Sequence, residues 1–269
     1  MDKNIIKIKD GIYVHYLNRN NFKTNNSSIS LMIPLKRENA TKNSLLVYML
    51  MRGSKNYPNQ YLINEALDEL YSSTLSTSFD RIGDYLCLKF NLENIDDRFA
   101  IDNEKITEKA FGILLDVVFN PLMNNDMLCD DFLNIEKEHL RKILSQEKDN
   151  KDAYAYRRCI EEIFGNDGYG IKLYGYDEDI NNISIEDLSN HYRWLISTSR
   201  IDICFSGSLD FDVFQRIITN NDLIKKLKDR KNWNVYSTAF SHFVDKPKEI
   251  FESQNVTQGK LVIRILCRI

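Results

Sequence analysis

The sequence predicts an α+β fold, with a mixed or antiparallel sheet and helices packed mainly on one face. Three observations carry this. Short runs rich in Ile, Val, Tyr and Leu occur at residues 11–17, 28–35, 75–80, 85–92 and 201–206. Apolar stripes at helical spacing lie between them. The composition, 43% hydrophobic and 28% charged with 4 Pro and 10 Gly in 269 residues, is that of a folded chain able to bury a sizeable core.

In chain order, residues 11–17 and 28–35 read as adjacent strands separated by the polar stretch 18–26. Residues 43–52 are apolar on nearly every side, as in a buried helix, and Gly53, tolerant of positive φ, suits its end. After the Tyr57-Pro58-Asn59 turn, Leu62, Ile63, Ala66, Leu67, Leu70 and Tyr71 predict an amphipathic helix. Strands 75–80 and 85–92 follow as a hairpin through Ile82-Gly83-Asp84. Ile106, Ala110, Phe111, Leu114, Leu115 and Val118 mark a helix that Asn120-Pro121 ends. A long charged helix comes next, with Phe132, Ile135, His139, Leu140 and Ile143 as its inner stripe. A helix over 153–164 leads into the glycine- and tyrosine-rich loop 165–175, and Ser184 caps a helix continued by Leu188, Tyr192 and Leu195. Strand 201–206 and a final helix over 210–227 close the unit. Beyond Lys228 the sequence becomes a polar linker before the strand-like run 261–266, which needs a pairing partner.

Bulk properties exclude several functions. A net charge of −3 argues against a nucleic-acid partner. Cys87, Cys129, Cys159, Cys204 and Cys267 are scattered, with no C-x-x-C, so neither a disulfide framework nor a thiolate zinc site is expected. Residues 1–9 alternate charge with isoleucine and contain no signal peptide or membrane span, so a cytoplasmic location and no membrane partner are expected.

One stretch carries a family resemblance. Met49-Leu50-Met51-Arg52-Gly53-Ser54-Lys55-Asn56-Tyr57-Pro58 resembles the M-L-F-K-G-T-x-x-Y-P that follows H-x-x-E-H in the insulinase/pitrilysin family of inverted zincins. The resemblance extends over most of residues 11–227 and implies a half-domain of that fold. Its register puts Ser44 and Tyr48 at the two histidine positions and Val47 at the catalytic glutamate. It puts Ser76 and Thr77 at a strand landmark, Asn-Ala in the family, that faces peptide. Glu136, in I-E-K-E-H-L, takes the downstream ligand position as a relic, with Glu138 as a second register. Zinc catalysis needs two neutral imidazoles one turn apart, an anionic ligand and a carboxylate base, and Ser44, Val47 and Tyr48 supply none of these. No catalytic residue and no metal site is therefore expected; zinc belongs to an intact family member.

Within the family the chain resembles a ligand-free bacterial subunit associated with aminopentanol modification of elongation factor P and encoded beside an H-x-x-E-H-bearing relative. That implies a peptide-binding or structural partner of a zinc-bearing relative in a processing-peptidase-like heterodimer. Residues 1–232 form the amino-terminal domain under this reading. Residues 233–269 are a linker and the first strand of a truncated second domain, because 252–261 resemble the start of a second half and 263–269 do not continue it. A natural truncation and a shifted reading frame stay open.

Other chemistries are weaker. A metallopeptidase with an unorthodox site would draw on Glu136, Glu138 and His139. Glu136-x-x-His139 has the spacing of di-iron helices, but only one copy occurs and the chain has four histidines. Without its histidines, Glu136 reads as a solvated carboxylate or a surface pair, and His139 as a partly buried helix residue. No G-x-S-x-G occurs, no Cys–His signature is present, and Gly168-Tyr169-Gly170 lacks the Lys-Ser/Thr of a phosphate loop. The basic run 225–231 reads as an exposed helix end. A third possibility is an inactive scaffold that dimerises through strand 261–266.

Overall fold

Strand pairing organises the molecule, for which a computed structural model describes residues 3–165, 167–230, 248–254 and 257–264. β1 (Lys3–Lys9), β2 (Ile12–Asn18) and β3 (Thr24–Pro34) come first, followed by helices α1 (Arg37–Leu50) and α2 (Gln60–Asp68). The hairpin β4 (Thr74–Ile82) and β5 (Tyr85–Ile95) leads to α3 (Ile106–Phe119). A two-residue pair, β6 (Met123–Asn124) and β7 (Met127–Leu128), precedes α4 (Leu133–Asp149), α5 (Lys151–Phe164), α6 (Asp177–Ile180) and α7 (Ile185–Thr198). β8 (Arg200–Gly207), α8 (Phe211–Asn220) and α9 (Asp222–Lys226) follow.

Six strands form one sheet in the order β1-β2-β8-β3-β5-β4. Only β2 and β8 run parallel, which makes the sheet mixed. The strand alternation splits its two faces. Val14, Ile203, Ile29 and Phe90 are register partners on one face and are fully buried. Helices α3 and α7 pack against the strands and α1 packs against α7 and α4, with Leu45, Leu46, Leu114, Leu115, Leu188 and Leu195 all inaccessible to solvent. Burying such a side chain fully contributes roughly 1.5–3 kcal/mol. The other face is polar, with His15, Asp202, Ser28, Ser30 and Lys89.

Several expectations are corrected. The strands begin before residue 11: the Lys/Ile alternation of the amino terminus forms the edge strand β1. α1 begins at Arg37, and Gly53 does not have a positive φ. A Cβ at Gly53 would lie 2.7 Å from the Pro58 carbonyl oxygen, so a close backbone approach requires the glycine. On α4 the buried positions are Leu133, Glu136 and Leu140, whereas Ile135 is half exposed. The inner stripe therefore includes a carboxylate. The predicted last helix breaks at Asn221, whose side chain accepts from the Leu223 and Ile224 N–H groups and starts α9 anew.

Lys225 and Lys226 are exposed in the last turn of α9. Residues 248–264, where described, carry neither strand nor helix and lie along α5 through Lys248–Glu162, Glu252–Arg158 and Lys260–Asp152 ion pairs. The strand expected over 261–266 is thus not formed at 261–264, where Leu261 and Ile263 are exposed, and the rest lies outside the described residues. Cys87, Cys129, Cys159 and Cys204 are free thiols, and Cys267 and His242 lie outside the described residues.

Candidate functional site

α1 carries the residues that the sequence aligns with a catalytic helix. Ser44 and Val47 are fully buried, and the Ser44 Oγ has no hydrogen-bond partner, so both belong to the packed core around α1. Tyr48, one turn beyond Ser44, is half buried. Its ring sits 4.8 Å from that of His139 on α4 and 5.6 Å from Phe79 on β4, and Tyr174 packs 5.1 Å from Phe79 on the other side. Burial, with smaller contributions from Tyr174, Glu136 and Glu147, pushes the Tyr48 phenol well above its ordinary range. A phenol that resists ionisation is a poor metal ligand.

Glu136 does not lie on the surface. It is 1% exposed, and each of its oxygens is engaged: Oε1 accepts from Arg52 Nε, and Oε2 pairs with His139 Nδ1 at 2.9 Å. Arg52 Nη1 also donates to Gln60 Oε1 at 3.0 Å. The segment that fixes Arg52 is pinned in turn by buried Asp116, whose Oδ1 accepts from Asn56 Nδ2 at 2.8 Å and from Asn120 Nδ2 at 2.6 Å, while Ser54 Oγ donates to Oδ2. His139 is 44% exposed. Glu138 is 68% exposed and turns to Arg141. Glu136 and His139 therefore converge, and Glu138 does not join them.

These residues do not fit a zinc ion. The one buried carboxylate has both oxygens committed, a guanidinium lies against it, and the helix below presents a serine, a valine and an un-ionised tyrosine. Among the described residues no group of three or more His, Cys, Asp or Glu is placed to hold a metal ion. The other described histidines have partners elsewhere: His15 with Asp202 at 2.7 Å on the polar sheet face, and buried His191 with Asn43 at 2.7 Å.

Beside this cluster lies a sheet edge. β4 pairs with β5 on one side and, among the described residues, ends the strand order on the other. Ser76 and Thr77 project to opposite faces of that edge strand, Ser76 exposed and Thr77 half buried. The loop 165–175 is tied to the far end of β4 through Arg81, whose guanidinium donates to the carbonyls of Tyr169 and Ile171. Arg52 and Tyr174 were not anticipated. No local pattern points to Arg52, because Glu136 is inward only through its tertiary contact with that guanidinium.

No family model matches the chain. Over 253 residues, 94% of this chain and 58% of the relative, it is 28% identical to the "Probable inactive metalloprotease YmfF" of Bacillus subtilis (strain 168). It superposes on a conserved protein from Enterococcus faecalis V583 with a TM-score of 0.79 at 19% identity, covering 88% of this chain and 55% of that one. The inactive domain of an M16 peptidase from Pseudomonas fluorescens superposes with a TM-score of 0.67 at 15% identity, covering 89% and 54%. The chain spans little more than half the length of each of these relatives. Among the described residues no helix is long and apolar enough to cross a membrane. The chain thus shares its fold with M16 peptidase domains and is similar to a probable inactive metalloprotease, and none of the side chains of H-x-x-E-H stands at Ser44, Val47 and Tyr48.

Proposed function

We propose that the chain is a non-catalytic partner subunit that binds an extended peptide along β4 and pairs with an H-x-x-E-H-bearing relative in a processing-peptidase-like heterodimer. The observation that carries this reading is the edge of β4, which no other strand pairs among the described residues, next to a helix without the H-x-x-E-H side chains. An extended segment adding to such an edge gains main-chain hydrogen bonds, and the side chains at Ser76 and Thr77 supply contacts on either face. A boundary near residue 232, with residues 252–261 opening a second unit, belongs to the same proposal, as does the absence of nucleic-acid and membrane partners.

Co-expression with an H-x-x-E-H-bearing relative tests it. The expected result is a one-to-one complex in which zinc and peptide cleavage reside with the relative and peptide affinity rises when this chain is present. Isolated chain that holds stoichiometric zinc and cleaves peptide alone would overturn the reading. A homodimer indifferent to the relative would leave only a scaffold.

A further inference from the structure

We infer that Arg52 is a built-in cation: its guanidinium neutralises the buried Glu136 carboxylate at the degenerate site and makes that site complete without a metal ion. A carboxylate that is 1% exposed between Leu133 and Leu140 on the inner stripe of α4 is costly unless a positive charge and hydrogen bonds meet it. Arg52 provides the charge from just beyond α1. Its Nε donates to Oε1, while Nη1 is held by Gln60 Oε1 at 3.0 Å, so the planar group is braced from two sides. His139 Nδ1 takes the second oxygen at 2.9 Å, and its ring rests on Tyr48.

A divalent ion entering here would have to displace a tethered guanidinium and would find only one carboxylate and one imidazole, where a zinc site needs three or four ligands. The arrangement is therefore more than a metal site that has lost its histidines. The positive charge comes from the chain itself, delivered through the Arg52 Nε–H to one carboxylate oxygen while His139 takes the other. This inference does not depend on peptide binding, so the two can fail separately.

The test is thermal unfolding of the full chain and its variants, with zinc content measured after purification without chelators. Arg52→Met strands Glu136 in an apolar setting and is expected to lower the melting temperature by about 10 °C. Arg52→Gln, which keeps much of the side-chain volume but not the charge, is expected to match that loss, and Arg52→Lys to recover part of it. The double variant Arg52→Met/Glu136→Met removes charge and counter-charge together and is expected to recover most of the stability. Should Arg52→Met fail to fold, a folded double variant gives the same answer.

Wild-type protein is expected to retain less than stoichiometric zinc and to melt at the same temperature with zinc or with EDTA. Three outcomes would overturn the inference: Arg52→Gln as stable as wild type, single-variant losses that simply add in the double variant, or stoichiometric zinc in the wild type.

Discussion

The middle of α1 and the turn beyond it bury polar groups in opposite ways. In mid-helix, Asn43 meets His191 at 2.7 Å with no solvent access to Asn43 and 6% to His191. That pair is neutral: burial, with help from the Lys42 charge, lowers the His191 pKa to about 4, and Trp194 stacks on the ring at 5.1 Å. Beyond the helix, Glu136 is charged and is matched by Arg52 and His139. A neutral pair needs only hydrogen bonds from its surroundings. An ion needs a counter-ion delivered by another segment, which ties the turn after α1 to α4.

The largest expected effect separates the partners of the charged pair. Arg52 is 29% exposed and Glu136 is 1% exposed, so water can take over for a stranded Arg52 but not for a stranded Glu136. Arg52→Met is expected to cost about 3–5 kcal/mol in urea unfolding, and Glu136→Met clearly less. Equal losses would mean that burial does not set the cost.

The neutral pair gives the next effect, in acid. The unfolded chain protonates His191 near pH 6.5, whereas the folded chain does so only near pH 4. Between these values the unfolded state binds the extra proton, so this term leaves stability intact above pH 6.5 and erodes it as the pH falls to 4. A shift of that size corresponds to roughly 3 kcal/mol. His191→Gln offers Asn43 an amide in place of the imidazole and removes the titration. Its stability relative to wild type should therefore improve by that amount between pH 7 and pH 4, as read from urea midpoints. A parallel pair of pH curves would show that His191 is accessible to protons in the native state.

How legible these features were in the sequence depended on whether local rules decide them. The strands at 75–80 and 85–92 and the helix at 106–118 were readable because alternation and helical period mark burial directly. The Ser184 cap was readable too: Ser184 Oγ accepts the Asp187 N–H at 3.1 Å, and Asp187 Oδ2 accepts the Ser184 N–H at 2.9 Å. Ser184→Ala should cost about 1 kcal/mol of stability, a shift of a few degrees in a thermal melt. β1 escaped because a lysine-bearing edge strand looks like a polar tail. Glu136 was misplaced because the helix pattern was fitted to the apolar Ile135, and only tertiary contact with Arg52 turns the carboxylate inward. The absence of catalytic side chains at Ser44, Val47 and Tyr48 was visible at once. What fills the site instead lies on α4, on β4 and in the loop at Tyr174, and no local pattern links these segments.

The smallest effect on stability tests the sheet edge. Ser76 is exposed on β4 and lies opposite Asn91 of β5, so Ser76→Lys changes no buried contact and should shift stability by no more than about 0.5 kcal/mol. A lysine on an open edge disfavours the addition of another strand, which is how sheet edges are commonly protected. If extended peptides bind along β4, Ser76→Lys should weaken their binding in fluorescence anisotropy while leaving the melting curve and the Arg52–Glu136 coupling untouched. Affinity equal to wild type would move the peptide away from this edge. A loss of affinity in Arg52→Met but not in Ser76→Lys would instead place it over the ring row of His139, Tyr48 and Phe79, where the charged cluster holds His139 against Tyr48.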